Sequence, residues 1–339
     1  MQKNNKILSI IKYLLMAGIG VALLYMAFKG NDPAKIYEDL KKANYAWVAL
    51  AWLCMLLANI SRSMRWNILL EPLGYKPSVI NTNYAVFIGY FANIAFPRLG
   101  EVSRCTVLNQ AEQVPFEAAI GTVISERIID VLSLGILTLL VFITQQTLMA
   151  NFFDCYIIPY IHIPSQKELI ILIGILLIAI GTIYYSYKAK MLPSLEQKFK
   201  SSSLINKVLV FSKGVLNGLK SVLEIKRKGA FFFHTLFIWT LYFLMTYLCL
   251  FAIPATEHLQ PSDGLFLLVS GSIGMMMPVQ GGIGPFEFFI SNSILLFGIA
   301  KQDGLVFATI VHGSQILFTI VFGAISFLML FLSKKKKIA

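Results

Sequence analysis

Runs of almost uncharged, apolar residues recur along this chain at the length of a bilayer's hydrocarbon core. About 20 such residues cross that core as an α-helix. Segments near 7–28, 46–69, 127–146, 168–187, 231–253 and 304–332 reach or approach that length. Composition agrees: 57% of the residues are hydrophobic, 14% are charged, and mean hydropathy is +0.72. The runs are continuously apolar rather than alternating, which argues against a β-barrel. The expected fold is an all-α polytopic membrane protein with about six spanning helices. No hydrophilic stretch is long enough for a soluble catalytic domain, so a single membrane domain is expected over 1–339. The basic N-terminus resembles a signal peptide, but its apolar core is too long for a cleaved one, and it is expected to remain as the first helix.

The chain carries a net charge of +12. Residues 188–228 hold ten Lys/Arg against Glu196 and Glu224, Lys334 to Lys337 form a basic tail, and Lys3, Lys6 and Lys12 lie at the start. The positive-inside rule places both termini and this loop in the cytoplasm, with the cytoplasmic (inner) membrane as the location. Basic residues beside spanning helices are the usual signature of orientation and of anionic lipid, so nucleic acid is not an expected partner. Within the 188–230 loop, Leu204, Val208, Phe211, Val215, Leu219 and Val222 recur at helical spacing. They read as an amphipathic helix that either lies on the inner leaflet or packs beneath the bundle.

Crossing parity constrains the rest. Four spans already link an inside N-terminus to an inside 188–228 loop, so the first half (1–187) must hold a segment, 79–125, that starts and finishes on the cytoplasmic side. Two broken stretches, 79–96 and 116–125, flank FPRLGEVSR and read as partial helices that enter and return. In the second half (231–339), residues 264–299 must start and end outside, dipping in around MMMPVQGGIGPFEFF. Irregular backbone at membrane depth is tolerated only inside protein or along a wet cavity. Two opposed re-entrant elements form the pattern of an inverted repeat with a midplane site, here on topology alone.

Polar residues gather in these elements. In FPRLGEVSR, Pro97 is expected to end or kink a helix and Gly100 to allow a close turn. Arg98, Glu101 and Arg104 follow at i,i+3 spacing, with Glu101 facing Arg104 if helix resumes after Gly100. Arginine suits phosphate because its planar fork donates two parallel hydrogen bonds and keeps its charge when desolvated. The alternative is a solvated turn. In ISERIIDVLSLGILTLL, Glu126, Arg127 and Asp130 enter an otherwise buried helix, with Arg127 and Asp130 an i,i+3 pair. Each charge costs about 2.5–3.5 kcal/mol at a helix centre. They must be paired, near the interface, or lining a polar cavity. In PVQGGIGPFEF, Pro278, Gly281, Gly282 and Gly284 permit a sharp bend. Pro285 fits the first helical position, and Glu287 either caps free amides that could otherwise hold an anion or carries a proton or cationic headgroup. Met275 to Met277 read as adaptable packing or a passage for acyl chains. Arg62 and Arg65, in NISRSMRWN, read by default as snorkelling to headgroups, with a substrate role as the alternative.

Cys54, Cys105, Cys155 and Cys249 lack metal-ligand spacing and read as small hydrophobes. His162, His234, His258 and His312 are scattered, and none is taken as a site residue. No P-loop, G-x-S-x-G or H-E-x-x-H motif is present, so no cofactor, metal or catalytic residue is expected.

FPRLGEVSR followed by SERIIDVLSL, and then PVQGGIGPFE, together resemble the lysylphosphatidylglycerol synthase transmembrane (flippase-like domain) family. By that resemblance Pro97, Arg98, Gly100, Glu101, Arg104, Glu126, Arg127, Asp130, Gly281, Gly282, Gly284 and Glu287 occupy signature positions. The family's best-understood members join this domain to a soluble aminoacyltransferase, which is not seen here, so lysyl transfer is not expected. The resemblance implies a flippase-like membrane domain and carries over no cargo; with the polar residues above, the expected function is a lipid translocase moving a phospholipid or polyprenyl-phosphate-type headgroup. Arg98, Arg104 and the 282–287 helix start would take the phosphate; Glu101, Glu126, Asp130 and Glu287 would take a cationic headgroup or protons. Membrane lipids with anionic or phosphate-bearing headgroups are the expected partners. Transport would be downhill, or coupled to a proton or the membrane potential. The alternatives are an integral-membrane transferase acting on a lipid-linked donor, or a non-catalytic cell-envelope assembly protein.

Overall fold

The computed structural model describes residues 18–156, 158, 218 and 220–338. Among the described residues there are eleven α-helices and no strand. They are α1 (Gly18–Phe28), α2 (Pro33–Lys42), α3 (Tyr45–Leu70), α4 (Val79–Ala95), α5 (Leu99–Glu112) and α6 (Phe116–Thr144), then α7 (Gln146–Tyr156), α8 (Lys228–Leu250), α9 (Pro261–Met276), α10 (Pro285–Leu295) and α11 (Lys301–Ile338). The chain is an all-α, multi-pass membrane protein. Four described helices, α3, α6, α8 and α11, are long and apolar enough to cross a bilayer. The expected span 168–187 and most of the amphipathic stretch in 188–230 lie outside the described residues, as does the first part of 7–28.

α3 packs along α8, and α6 packs against α3, α5 and α9. Between them stand two helical hairpins. Pro97 and Arg98 make the first turn: α4 ends at Ala95, Arg98 takes the left-handed conformation (φ 63°), and α5 starts at Leu99. The amide of Gly100 donates to Asn93 Oδ1 at 2.7 Å, so a side chain of the incoming helix satisfies a free N–H of the outgoing one. The first hairpin is therefore α4 with α5. Residues 116–125, expected as a separate broken stretch, are instead the opening turns of α6, which runs unbroken to Thr144. Pro115 starts that helix and nothing after it stops it; Gly121 is tolerated at a crossing with Gly218.

The second hairpin is α9 with α10, turning through Met277–Gly284. Gly281, Gly282 and Gly284 have φ of 57°, 77° and 95°, which only glycine adopts cheaply. A Cβ on Gly284 would overlap the Gly20 carbonyl oxygen of α1, so this glycine admits a helix rather than a ligand.

α11 braces both hairpins. Its first half meets α10, with Gly304 against Ile294 and Ser291. Its later half meets α4, where Phe318 and Phe322 stack with ring centroids 4.2 Å apart, Phe322 stacks on Phe87 at 5.5 Å, and Gly323 fits under Phe91. The hairpins thus take successive stretches of one helix. Their tips touch: Ile94 Cα lies 3.8 Å from where a Gly281 Cβ would stand.

Candidate functional site

A cavity of about 510 Å³ lies at the two tips, walled by α3, α6, α8 and α11. The turns bring Pro97, Arg98 and Glu101 from one side and Met277 to Val279, Gly281 and Gly282 from the other. The spanning helices add Asn59, Arg62, Arg127, Asp130, Tyr242, His312 and Gln315, and α4 adds Tyr90 and Asn93.

An ionic cluster reaches the cavity wall at Arg62 and Asp130 and runs behind it to the buried Arg65, Arg104 and Glu126. Glu126 is fully buried and pairs with three arginines: Arg62, Arg65 at 3.8 Å and Arg104 at 3.3 Å. Asp130, one turn on, pairs with Arg62 at 3.0 Å and Arg65 at 2.6 Å. Tyr242 Oη accepts from Arg62 Nη2 at 3.1 Å and Thr235 Oγ1 from Arg65 at 3.3 Å. Arg104 also lies 4.7 Å above the Trp66 ring, and Trp66 donates to Thr122 at 2.9 Å. Charges removed from water persist only when paired and hydrogen-bonded. The sequence supplies this by placing Arg62 and Arg65 about one turn apart on α3, opposite Glu126 and Asp130 one turn apart on α6.

This corrects three expectations. Arg62 and Arg65 do not snorkel; they are inside the protein. Glu101 does not pair with Arg104 along α5: it accepts from Arg127 at 3.1 Å, while Arg104 turns to Glu126. Asp130 takes Arg62 and Arg65 rather than Arg127. In each case a carboxylate on one helix meets a guanidinium on another. Helices packed side by side desolvate both groups together, which makes cross-helix pairs stronger than exposed pairs along one helix.

The residues singled out in the sequence therefore divide. Arg98, Glu101, Arg127, Asp130, Gly281 and Gly282 line the cavity, with Pro97 and Pro278 at its turns. Arg104, Glu126, Gly284 and Glu287 support it from outside the lining. Arg98 is exposed and has no ion-pair partner among the described residues. Glu287 caps its own helix, with Oε2 accepting from the Gly284 amide at 2.7 Å, so the α10 start is already occupied by a carboxylate. Its other oxygen, Oε1, lies 2.6 Å from His312 Nδ1.

His312, Arg62, Tyr90, Asn93 and Tyr242 were not among the residues expected at the site. Arg62 carried a signal, a guanidinium within an apolar run, but its partners are 64 and 68 residues away. His312 is a lone histidine with no local partner, and nothing in the sequence separates it from the other three.

Several polar atoms on lining residues have no partner among the described residues: the donors Arg62 Nε, Arg127 Nε and Trp239 Nε1, and the acceptors Asn59 Oδ1 and Glu101 Oε2. The lining carries Arg62, Arg98 and Arg127 against Glu101 and Asp130, an excess of positive charge.

The fold and site define a helical, multi-pass membrane protein with a charged cavity between two hairpin turns. The sequence matches the family described as "Lysylphosphatidylglycerol synthase TM region" over residues 10–323, and the chain belongs to that family. It is 28% identical over 214 residues to a UPF0104 membrane protein of Methanocaldococcus jannaschii, a match covering 58% of this chain and 61% of that one. It is 23% identical over 309 residues to a UPF0104 membrane protein of Pyrococcus horikoshii, covering 86% of this chain and 88% of that one. It is 27% identical over 128 residues to the glycosyltransferase AglD of Haloferax volcanii, covering 38% of this chain and 20% of that protein. The chain thus spans about three-fifths of the first relative and one-fifth of the glycosyltransferase. No solved structure matches it.

Proposed function

We propose that this protein is a lipid translocase that passes a phosphate-bearing headgroup across the cytoplasmic membrane. The reading rests on one observation: a cavity at two meeting hairpin tips is lined by three arginines against two carboxylates, and one of those arginines, Arg98, is exposed without an ion-pair partner among the described residues. Phosphate is the anion such a site fits best, since guanidinium holds it through two parallel bonds while keeping its charge. Arg98, without an ion-pair partner among the described residues, meets the headgroup at the first tip; Arg62 and Arg127 hold it within. Glu101 and Asp130 keep those arginines fixed and offer acceptors to a cationic or hydroxylated headgroup. Met275 and Met276, exposed beside the second tip, offer a pliable apolar edge along which acyl tails stay in lipid. Both termini and the 188–230 loop lie in the cytoplasm.

The test is reconstitution into liposomes with labelled phospholipids of several headgroups and a polyprenyl phosphate. Protein-dependent movement of at least one phosphate lipid is expected, reduced by Arg98→Ala. No movement of any candidate would overturn the proposal.

The similarity to a glycosyltransferase favours a second reading, an integral-membrane transferase acting on a lipid-linked donor. It predicts product formation in detergent, where the two leaflets no longer exist, and loss of product in Asp130→Asn.

A further inference from the structure

His312 sits on an apolar stretch of α11 with both ring nitrogens engaged. Nε2 lies 2.9 Å from the Gly281 carbonyl oxygen and Nδ1 lies 2.6 Å from Glu287 Oε1. A carbonyl oxygen only accepts, so Nε2 carries a hydrogen. Two lone pairs do not face each other across 2.6 Å, so a second hydrogen lies between Nδ1 and Oε1. Glu287 Oε2 is already committed to the Gly284 amide. The dyad is almost closed to solvent, with His312 1% and Glu287 7% exposed, and the Phe286 ring lies 4.7 Å from the imidazole.

The proton count of this dyad decides whether the second hairpin's tip is held. With the shared proton the pair is neutral overall and makes both bonds. Without it the pair carries one negative charge and the imidazole has a single N–H for two acceptors. The remaining N–H goes to the Glu287 carboxylate, the charged and stronger acceptor, and the Gly281 carbonyl is released. Gly281 is the residue that stands against Ile94 of the other tip and lines the cavity. We infer that Glu287 and His312 form a one-proton binding site that latches the second hairpin's tip onto α11, so that proton release frees the tip beside the cavity. Its role in lipid movement, supplying proton coupling, rests on the translocase reading; the link between proton and tip does not.

Other groups around the dyad are accounted for. Arg62 of α3, Arg98 and Glu101 at the start of α5, Arg127 and Asp130 of α6, Tyr90 of α4 and Tyr242 of α8 face the same cavity. Arg62, Glu101, Arg127 and Asp130 are tied to one another or to the cluster behind. The described part of α1 brings no Asp, Glu, Lys, Arg or His, and α9 has only Asp263, held by Gln145 at 2.8 Å and the Gln260 amide at 2.9 Å.

The experiment places Met277→Cys beside the tip, in a background with Cys54, Cys105, Cys155 and Cys249 replaced by alanine. Its labelling by a water-soluble maleimide is followed from acid to alkaline pH. The same thiol in a His312→Gln background corrects for thiolate formation. The ratio of the two rates is expected to rise several-fold with pH, and Glu287→Gln is expected to flatten it as His312→Gln does. A flat ratio overturns the proposal, and so does a step that survives in Glu287→Gln, which would belong to Asp130 or Glu101. Should His312→Gln not fold, Glu287→Gln serves as the reference. Should both fail, selective 15N-histidine spectra of the unaltered chain decide: no histidine protonated on both nitrogens, or on Nε2 with a hydrogen-bonded Nδ1, overturns it. Lipid movement with a flat ratio retires the proton site alone, and a clear step without lipid movement retires the translocase alone.

Discussion

Gly89 and Gly100 face each other across the first hairpin so closely that a Cβ on Gly100 would overlap the Gly89 carbonyl oxygen. Asn93 crowds the same spot while accepting from the Gly100 amide. Gly100→Ala is therefore expected to force α4 and α5 apart, at the upper end of the roughly 1–3 kcal/mol typical of overpacking. Thermal unfolding in detergent checks it. An unchanged midpoint would mean that the hairpin is not closed as described.

Glu126→Gln removes one carboxylate from three arginines while leaving all three buried. Breaking a buried pair costs about 3–5 kcal/mol because the remaining charge is uncompensated. Asp130→Asn should cost less, since its side chain is 13% exposed and Glu126 still serves both Arg62 and Arg65. Folded yield and unfolding midpoint of the two variants give the order; the reverse order would contradict the cluster.

Arg98 separates function from stability because its backbone is left-handed. An L-residue pays about 1–2 kcal/mol there, and glycine does not. Arg98→Gly is expected to leave stability unchanged or raise it by about 1 kcal/mol while reducing lipid movement as strongly as Arg98→Ala. Unaltered movement would remove Arg98 from the headgroup path.

Orientation is testable in intact cells. α8 separates Lys226 from Glu257, so thiols at the two positions should react with an impermeant reagent from opposite sides. Lys226→Cys is expected to be protected until the membrane is opened and Glu257→Cys to react at once. The opposite pattern would invert the proposed topology.

Much of this architecture could be read from residue type and spacing. Apolar length marked the spanning helices, and Pro97 with Gly100, and Pro278 with the 281–284 glycines, marked the two turns. Partner choice could not be read. The i,i+3 spacing of Glu101 and Arg104 is a local rule, and it was overridden once α6 brought Arg127 and Glu126 alongside. The break expected between 116–125 and 127–146 does not exist, because Glu126 and Arg127 lower hydropathy without breaking a helix, so a continuous helix resembles an interrupted one. His312 has no sequence neighbour that reveals its role; only the return of the second hairpin places Glu287 and Gly281 on either side of its ring.

The distribution of charge pairs also fixes where this molecule can give way. Ionic ties join α3, α5 and α6, so shearing those helices apart would strand buried charges in an apolar medium. The second hairpin has a different set of bonds: it meets α11 through glycine, phenylalanine and the single Glu287–His312 pair, so moving it puts one proton-sharing contact at stake rather than a network of paired charges. The protein is mechanically lopsided, with a stiff ionic frame on one side of the cavity and a yielding jaw on the other. Widening of the cavity should follow the softer side, and a crosslink from the second hairpin to α11 should arrest it where one within the frame would not.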